Sequence, residues 1–164
     1  MELKSPAFKE AGEIPKRHSC EGEDVSPALT WADVPAAAQS LVVLCEDPDA
    51  PFKTFTHWIV YDLSPALHGL DEAVPGDGDV LGGGRQGKND FGRVGYGGPC
   101  PPTGPFHRYY FTLLALDVKL GLPAGASKAD VDAAVKGHVL ASSRLMGRYK
   151  KVPLGRFIRT VLHR

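Results

Sequence analysis

Residues His107 to Val118 read HRYYFTLLALDV. Tyr109, Phe111, Leu113 and Ala115 alternate with Tyr110, Thr112, Leu114 and Leu116, and both sets are largely apolar. Side chains of a strand point alternately to its two faces, so a strand built from this segment buries both. It must be central to a sandwich or lie beneath helices. Two more segments read as strands. SLVVLCED, Ser40 to Asp47, is short, apolar and rich in β-branched residues, and FTHWIVYDL, Phe55 to Leu63, adds aromatic ones. Between them DPDAPFK forms a turn on Pro48 and Pro51. A turn sharp enough to aim Asp47 and Asp49 at one place favours a cis peptide bond, with Ala50–Pro51 the preferred position.

The rest of the chain fits a β-rich reading. Nineteen glycines and 14 prolines favour turns and short strands over a helical bundle. A chain of 164 residues suits one domain with one sizeable core. Its formal net charge of zero argues against a nucleic-acid protein that works through overall charge. No apolar run is long enough for a transmembrane segment, and MELKSPAF lacks the pattern of a signal peptide. Cys20, Cys45 and Cys100 are odd in number and widely spaced, with neither zinc spacing nor a disulfide framework. These features predict a cytoplasmic protein with reduced thiols.

Helix signals come late. Ser127 with Asp130 three residues on is a variant capping box. Val131, Val135 and Val139 follow at helical spacing, Leu145 and Met146 extend that face, and Gly137 kinks or splits the helix. The tail from Val152 to Arg164 carries Phe157, Ile158, Val161 and Leu162 as a helical stripe, with Arg156, Arg159 and Arg164 left to water. It is expected to dock on its own domain, on a second copy to form a homodimer, or on a membrane surface.

GGGRQGKN, Gly82 to Asn89, satisfies G-x-G-x-x-G and nearly satisfies the P-loop pattern. Both need a helix that starts at the last glycine. Here NDFGRVGYGGPCPP follows, with three prolines in its last four residues, so no such helix can run on. Asn89 also lacks the hydroxyl that helps hold Mg²⁺. Gly82 to Gly84 are expected to serve positive-φ turns instead.

Histidines mark two of the strand starts. His57 opens the second strand region, His107 opens the third, and the first ends at Asp47. If these strands are neighbours with those ends at one edge, Asp47, Asp49, His57 and His107 converge beside YGGPCPPTGPF. Imidazole N–H groups and the amides of Gly97 and Gly98 would face an anion there, with the carboxylates orienting the rings. No serine or cysteine nucleophile has an evident place in this set, and Cys100 reads as a buried structural thiol. HxH and HxxxH spacings are missing, so no metal site is expected.

DPDAP, then THWIVYDL, then GYGGPCPPTGPFHRYYF, in this order, resembles the phosphatidylethanolamine-binding protein family, in its bacterial and archaeal Raf-kinase-inhibitor-like branch. SPAFKEAGEIPKRHSCEGEDVSPALTW, GRQGKNDFGRVGYGGP and GHVLASSRLMGRYKK extend the resemblance from Ser5 to Lys151. It implies a Greek-key β-sandwich with a large central sheet, a smaller sheet and C-terminal helices. It also implies a small pocket for phosphate-like anions and phosphorylated head groups. Carried over by position, the ligand-binding residues are Asp47, Asp49, His57, Gly98, Pro101, His107 and Tyr109. Arg108, on the other face of its strand, is expected to brace the DPDAP turn through an ion pair. One family-like domain over residues 1–151 and an extension over 152–164 follow, since the tail matches nothing in the family pattern.

Three classes of function fit. A binding protein for an anionic or phosphorylated small molecule, with no cofactor, comes first. A regulator that binds a protein partner, a kinase or a protease, comes second. A small hydrolase or isomerase using the Asp/His pocket for acid–base work comes third, and binding is favoured over turnover.

Overall fold

The computed structural model describes residues 1–77, 80 and 82–153. Its strands are β1 (Gly12–Glu13), β2 (Leu29–Thr30), β3 (Ser40–Asp47), β4 (Phe55–Leu63), β5 (Gly69–Leu70), β6 (Arg85–Gln86), β7 (His107–Leu116) and β8 (Val139–Tyr149). Six form one mixed sheet in the order β1-β8-β7-β3-β4-β6, and β2 pairs with β5 in a second, smaller sheet. β1 runs parallel to β8, and the other pairings in the large sheet are antiparallel.

The register explains why β7 is apolar on both faces. Tyr109, Phe111, Leu113 and Ala115 turn to the main core, with Trp58, Trp31, Leu29 and Phe8. On the opposite face Leu114 joins a second core of Val42, Leu44, Ile59 and Tyr61. That second core is covered by α1 (Lys128–Val135), through Val131. Beyond the helix, Tyr110 is covered by the Arg144 guanidinium, 4.0 Å from its ring centroid. One strand is therefore packed between two layers along part of its length, and beyond the helix a cation covers its Tyr110.

The late helix is shorter than the spacing suggests. Ser127 caps α1 as expected, its hydroxyl accepting the Asp130 N–H at 3.1 Å. The helix stops at Val135, and Gly137 adopts φ 83°. Val139–Tyr149, expected to continue the helical face, is instead a strand paired with β7 along its whole length. Alternation decides it: Leu145, Gly147 and Tyr149 are buried while Arg144, Arg148 and Lys150 are exposed. A period of two wins over the Val131/Val135/Val139 coincidence, because β7 otherwise has an unpaired edge in the middle of the sheet. Among the described residues α1 is therefore the one α-helix, where several C-terminal helices were implied.

Gly82 and Gly83 take φ 88° and 79° in a turn as expected, Gly84 instead bridges to Val80 without a positive φ, and the following Arg85–Gln86 becomes β6 rather than a phosphate-binding helix. No peptide bond among the described residues is cis, which corrects the expectation for Ala50–Pro51. The turn is closed by hydrogen bonds instead, with Asp47 Oδ1 accepting the Asp49 N–H at 2.7 Å. Residues 154–164, with the apolar stripe Phe157, Ile158, Val161 and Leu162, lie outside the described residues.

Candidate functional site

The sheet brings the expected strand ends together. β3 lies between β4 and β7, with Asp47 opposite Phe55 and Glu46 opposite Tyr110, so its C-terminal end meets the N-terminal ends of both neighbours. A pocket of about 170 Å³ opens there. Asp47, His57, Pro101, His107 and Tyr109, five of the residues expected to bind ligand, line it. Ala50, Pro51, Phe55, Phe91, Cys100 and Pro102 complete the wall.

Each histidine is held by one ring nitrogen. His107 Nδ1 lies 2.7 Å from Asp47 Oδ2, and the other carboxylate oxygen is taken by the Asp49 N–H. His57 Nδ1 lies 2.6 Å from Gly97 O. A carbonyl or a carboxylate only accepts, so both Nδ1 atoms carry protons. Each Nε2 is then the free end of its ring, and among the described residues neither has a protein partner. Nor is either sealed off. The single buried side-chain atom without a partner among these residues is the Tyr109 hydroxyl oxygen. Both Nε2 atoms must therefore reach the accessible surface, and both rings line the pocket.

Burial dominates the electrostatics of His57. Desolvation lowers its pKa, and the Gly97 carbonyl and the Asp47 charge only partly oppose this. The folded protein thus holds His57 neutral at pH values where the unfolded chain, with an imidazole pKa of about 6.5, takes up a proton. Stability from this residue is present above about pH 6.5 and declines as pH falls, until the folded ring protonates too. Urea unfolding at pH 7.5 and 5.5 should show this loss in the wild type and a smaller one in His57→Asn. Equal losses would contradict the assignment. At Tyr109, burial first and then the Asp47 charge push the phenol pKa up, so the hydroxyl stays protonated.

Two expected site residues face elsewhere. Asp49 gives both carboxylate oxygens to Arg108, with Oδ2 to Nε at 2.9 Å and Oδ1 to Nη2 at 2.8 Å. This pairing, foremost its hydrogen bonds, holds the Asp49 pKa at about 2. The brace expected of Arg108 is present, and it occupies the carboxylate that was expected to bind ligand. Gly98 is also absent from the wall. Its N–H donates to Asp24 Oδ1 at 2.7 Å, and the Gly97 N–H donates to His57 O at 3.0 Å. Neither amide is free for an anion. The glycine at 98 serves close approach: a Cβ there would overlap the His18 carbonyl.

Sequence reasoning missed the aromatic side of the pocket. Buried Asn89 organises the loop after β6, accepting the N–H groups of Phe91 and Arg93 at 3.0 and 3.2 Å and donating to Gly95 O at 2.8 Å. Asp90 Oδ2 accepts the Thr56 N–H at 2.7 Å, which ties the loop to β4. Phe91 is thereby set against Phe55 and His57, with ring centroids 4.7 and 5.5 Å away. A phenylalanine alone in NDFGR was the available signal, since a polar glycine-rich loop has little reason to carry one. The cysteines also depart from expectation. Cys20 and Cys100 form a disulfide with Cα atoms 5.4 Å apart, and Cys45 alone is free and buried. Spacing could not disclose a pair that only the fold brings together across 80 residues.

The family model for phosphatidylethanolamine-binding protein matches residues 4–150, which includes both sheets and every wall of the pocket. The chain belongs to this family. Among its relatives, a UPF0098 protein of Methanothermobacter thermautotrophicus is 50% identical over 151 residues, spanning 92% of this chain and 99% of the relative. A UPF0098 protein of Aquifex aeolicus is 50% identical over 153 residues, spanning 92% and 89%. The crystal structure of a phosphatidylethanolamine-binding protein homologue from Chlamydia trachomatis aligns with a TM-score of 0.83 at 42% identity, covering 92% of this chain and 97% of that one. Escherichia coli YbcL, described as a member of the mammalian PEBP family, aligns at 0.86 with 32% identity, covering 92% and 98%. Membership of the phosphatidylethanolamine-binding protein family supports a ligand-binding protein. No helix among the described residues is long and apolar enough to cross a membrane.

Proposed function

We propose that the protein binds a small molecule whose phosphate-like anionic group sits between His57 and His107. One observation carries this reading: both rings line the pocket, and both are anchored through Nδ1 with Nε2 left without a partner among the described residues. An imidazole fixed at one nitrogen and protonated at the other is a directed, charge-assisted donor. Asp47 does not repel the ligand at full strength, because His107 and the Asp49 N–H already engage its two oxygens. The remaining wall is mostly prolines and aromatic rings, which suits an apolar portion next to the anionic group.

Binding should tighten as pH falls, because the ligand rewards protonation of a ring that burial keeps neutral. Calorimetric titration with inorganic phosphate and with phosphoethanolamine between about pH 5.5 and 8 tests this. A flat profile, or affinity that rises with pH, would overturn the reading.

A protein-partner role is favoured by Phe52. It is fully exposed next to the pocket residue Pro51, in a backbone conformation of φ 74° that phenylalanine rarely adopts. An exposed aromatic at a pocket mouth suits a partner surface. Pull-downs comparing wild type with Phe52→Ser test it, and identical capture would remove this support.

A further inference from the structure

We propose that the Cys20–Cys100 disulfide is a thiol-exchange site that gates the pocket: a dithiol reductant opens the bond and releases the wall formed by Pro101 and Pro102. This rests on the ligand reading above for the identity of the probe, but the gate itself follows from how the wall is fastened. Up to Pro99 the loop is held by hydrogen bonds. The Gly97 N–H donates to His57 O, the Gly98 N–H to Asp24, and the Cys20 N–H to Pro99 O. Past Pro99 that fastening stops. Pro101 and Pro102 have no N–H, and among the described residues Cys100 donates no backbone hydrogen bond. The next tie is the bridge between Thr103 and Lys151. Besides the packing of buried Pro101, the covalent link at Cys100 is thus what fastens the stretch that forms this wall of the pocket.

The bond is reachable from one side. Cys20 is exposed, Cys100 is half-buried against the pocket, and Cys45 is fully buried with its thiol pKa pushed up by that burial. A dithiol therefore has one accessible target, and no third protein thiol competes. Its thiolate attacks Cys20 Sγ and forms a mixed disulfide, while Cys100 leaves as thiolate and takes a proton. The reductant's second thiol then displaces Cys20 and closes as a cyclic disulfide. Two electrons and two protons pass to the protein. His57 stays anchored, because its acceptor, Gly97 O, lies upstream of the released stretch.

Loosening the wall lowers affinity by the fraction of time it is out of place. A wall in position about one-tenth of the time weakens binding about tenfold. By reciprocity, bound ligand must shift the disulfide–dithiol equilibrium toward the disulfide by the same factor. The test titrates the full chain with inorganic phosphate before and after dithiothreitol, and after reoxidation, beside Cys100→Ser. Expected are a roughly tenfold loss that reoxidation reverses, the same loss in Cys100→Ser, and a disulfide–dithiol equilibrium shifted about tenfold toward the disulfide in saturating phosphate. Equal affinity in both redox states overturns the gate, and so does global unfolding on reduction. If phosphate binds neither form, the ligand reading fails on its own. The gate is then decided by the histidine ring and residue 97–104 amide NMR signals: broadening on reduction upholds it, and an unchanged spectrum rejects it.

Discussion

Replacing Cys20 with serine is expected to lower the unfolding free energy by about 2–4 kcal/mol and the melting temperature by roughly 5–15 °C. The bond closes a loop of sequence separation 80, so removing it frees a large denatured ensemble. Cys20 is exposed, so the substitution itself removes little packing. The effect is therefore read as that of the crosslink alone. Urea unfolding with and without reductant isolates it: reductant should bring the wild type down to Cys20→Ser and leave the variant unchanged. A wild type indifferent to reductant would show that the crosslink contributes nothing.

The second large effect separates two aspartates that the sequence presents as equals. Asp47→Ala removes the acceptor for His107 Nδ1 and for the Asp49 N–H, both at a buried wall of the pocket. Leaving the buried His107 N–H without its acceptor costs about 1–3 kcal/mol. The freed His107 ring should also lose at least about tenfold in phosphate affinity, the order expected for a charge-assisted hydrogen bond. Asp49→Ala removes a half-exposed pair with Arg108 outside the pocket. It should cost about 1 kcal/mol or less and leave affinity within about twofold. Paired stability and binding measurements on the two variants check the contrast. Equal effects on binding would mean that both carboxylates, or neither, serve the ligand.

What the sequence disclosed followed periodicity. Ser40–Asp47 and Phe55–Leu63 are strands over those spans, because short β-branched runs bounded by prolines leave few alternatives. Convergence of Asp47, His57 and His107 followed from which end of each strand each residue occupied. The failures share a different cause. Val139–Tyr149 carried a helical coincidence that only the unpaired edge of β7 overrules. Asp49 and Gly98 stand in the right motifs, yet Arg108 and Asp24 had already claimed their hydrogen-bonding groups. Long-range partners such as Asp24 with Gly98, or Cys20 with Cys100, leave no local pattern. Family motifs placed residues near the pocket, and only geometry told which ones face it.

Four ring nitrogens of His57 and His107 define the proposed site, and NMR can observe each of them. Inorganic phosphate titrated into uniformly ¹⁵N-labelled protein near pH 6, with long-range ¹H–¹⁵N correlations recorded for the imidazoles, reports their protonation and hydrogen bonding directly. Nε2 of His57 and of His107 are expected to shift together toward protonated values on one saturable curve. Their Nδ1 signals should hold still, pinned by Gly97 and Asp47. Saturable phosphate binding that leaves both Nε2 signals unmoved, or that moves Nδ1 instead, would contradict the proposed site.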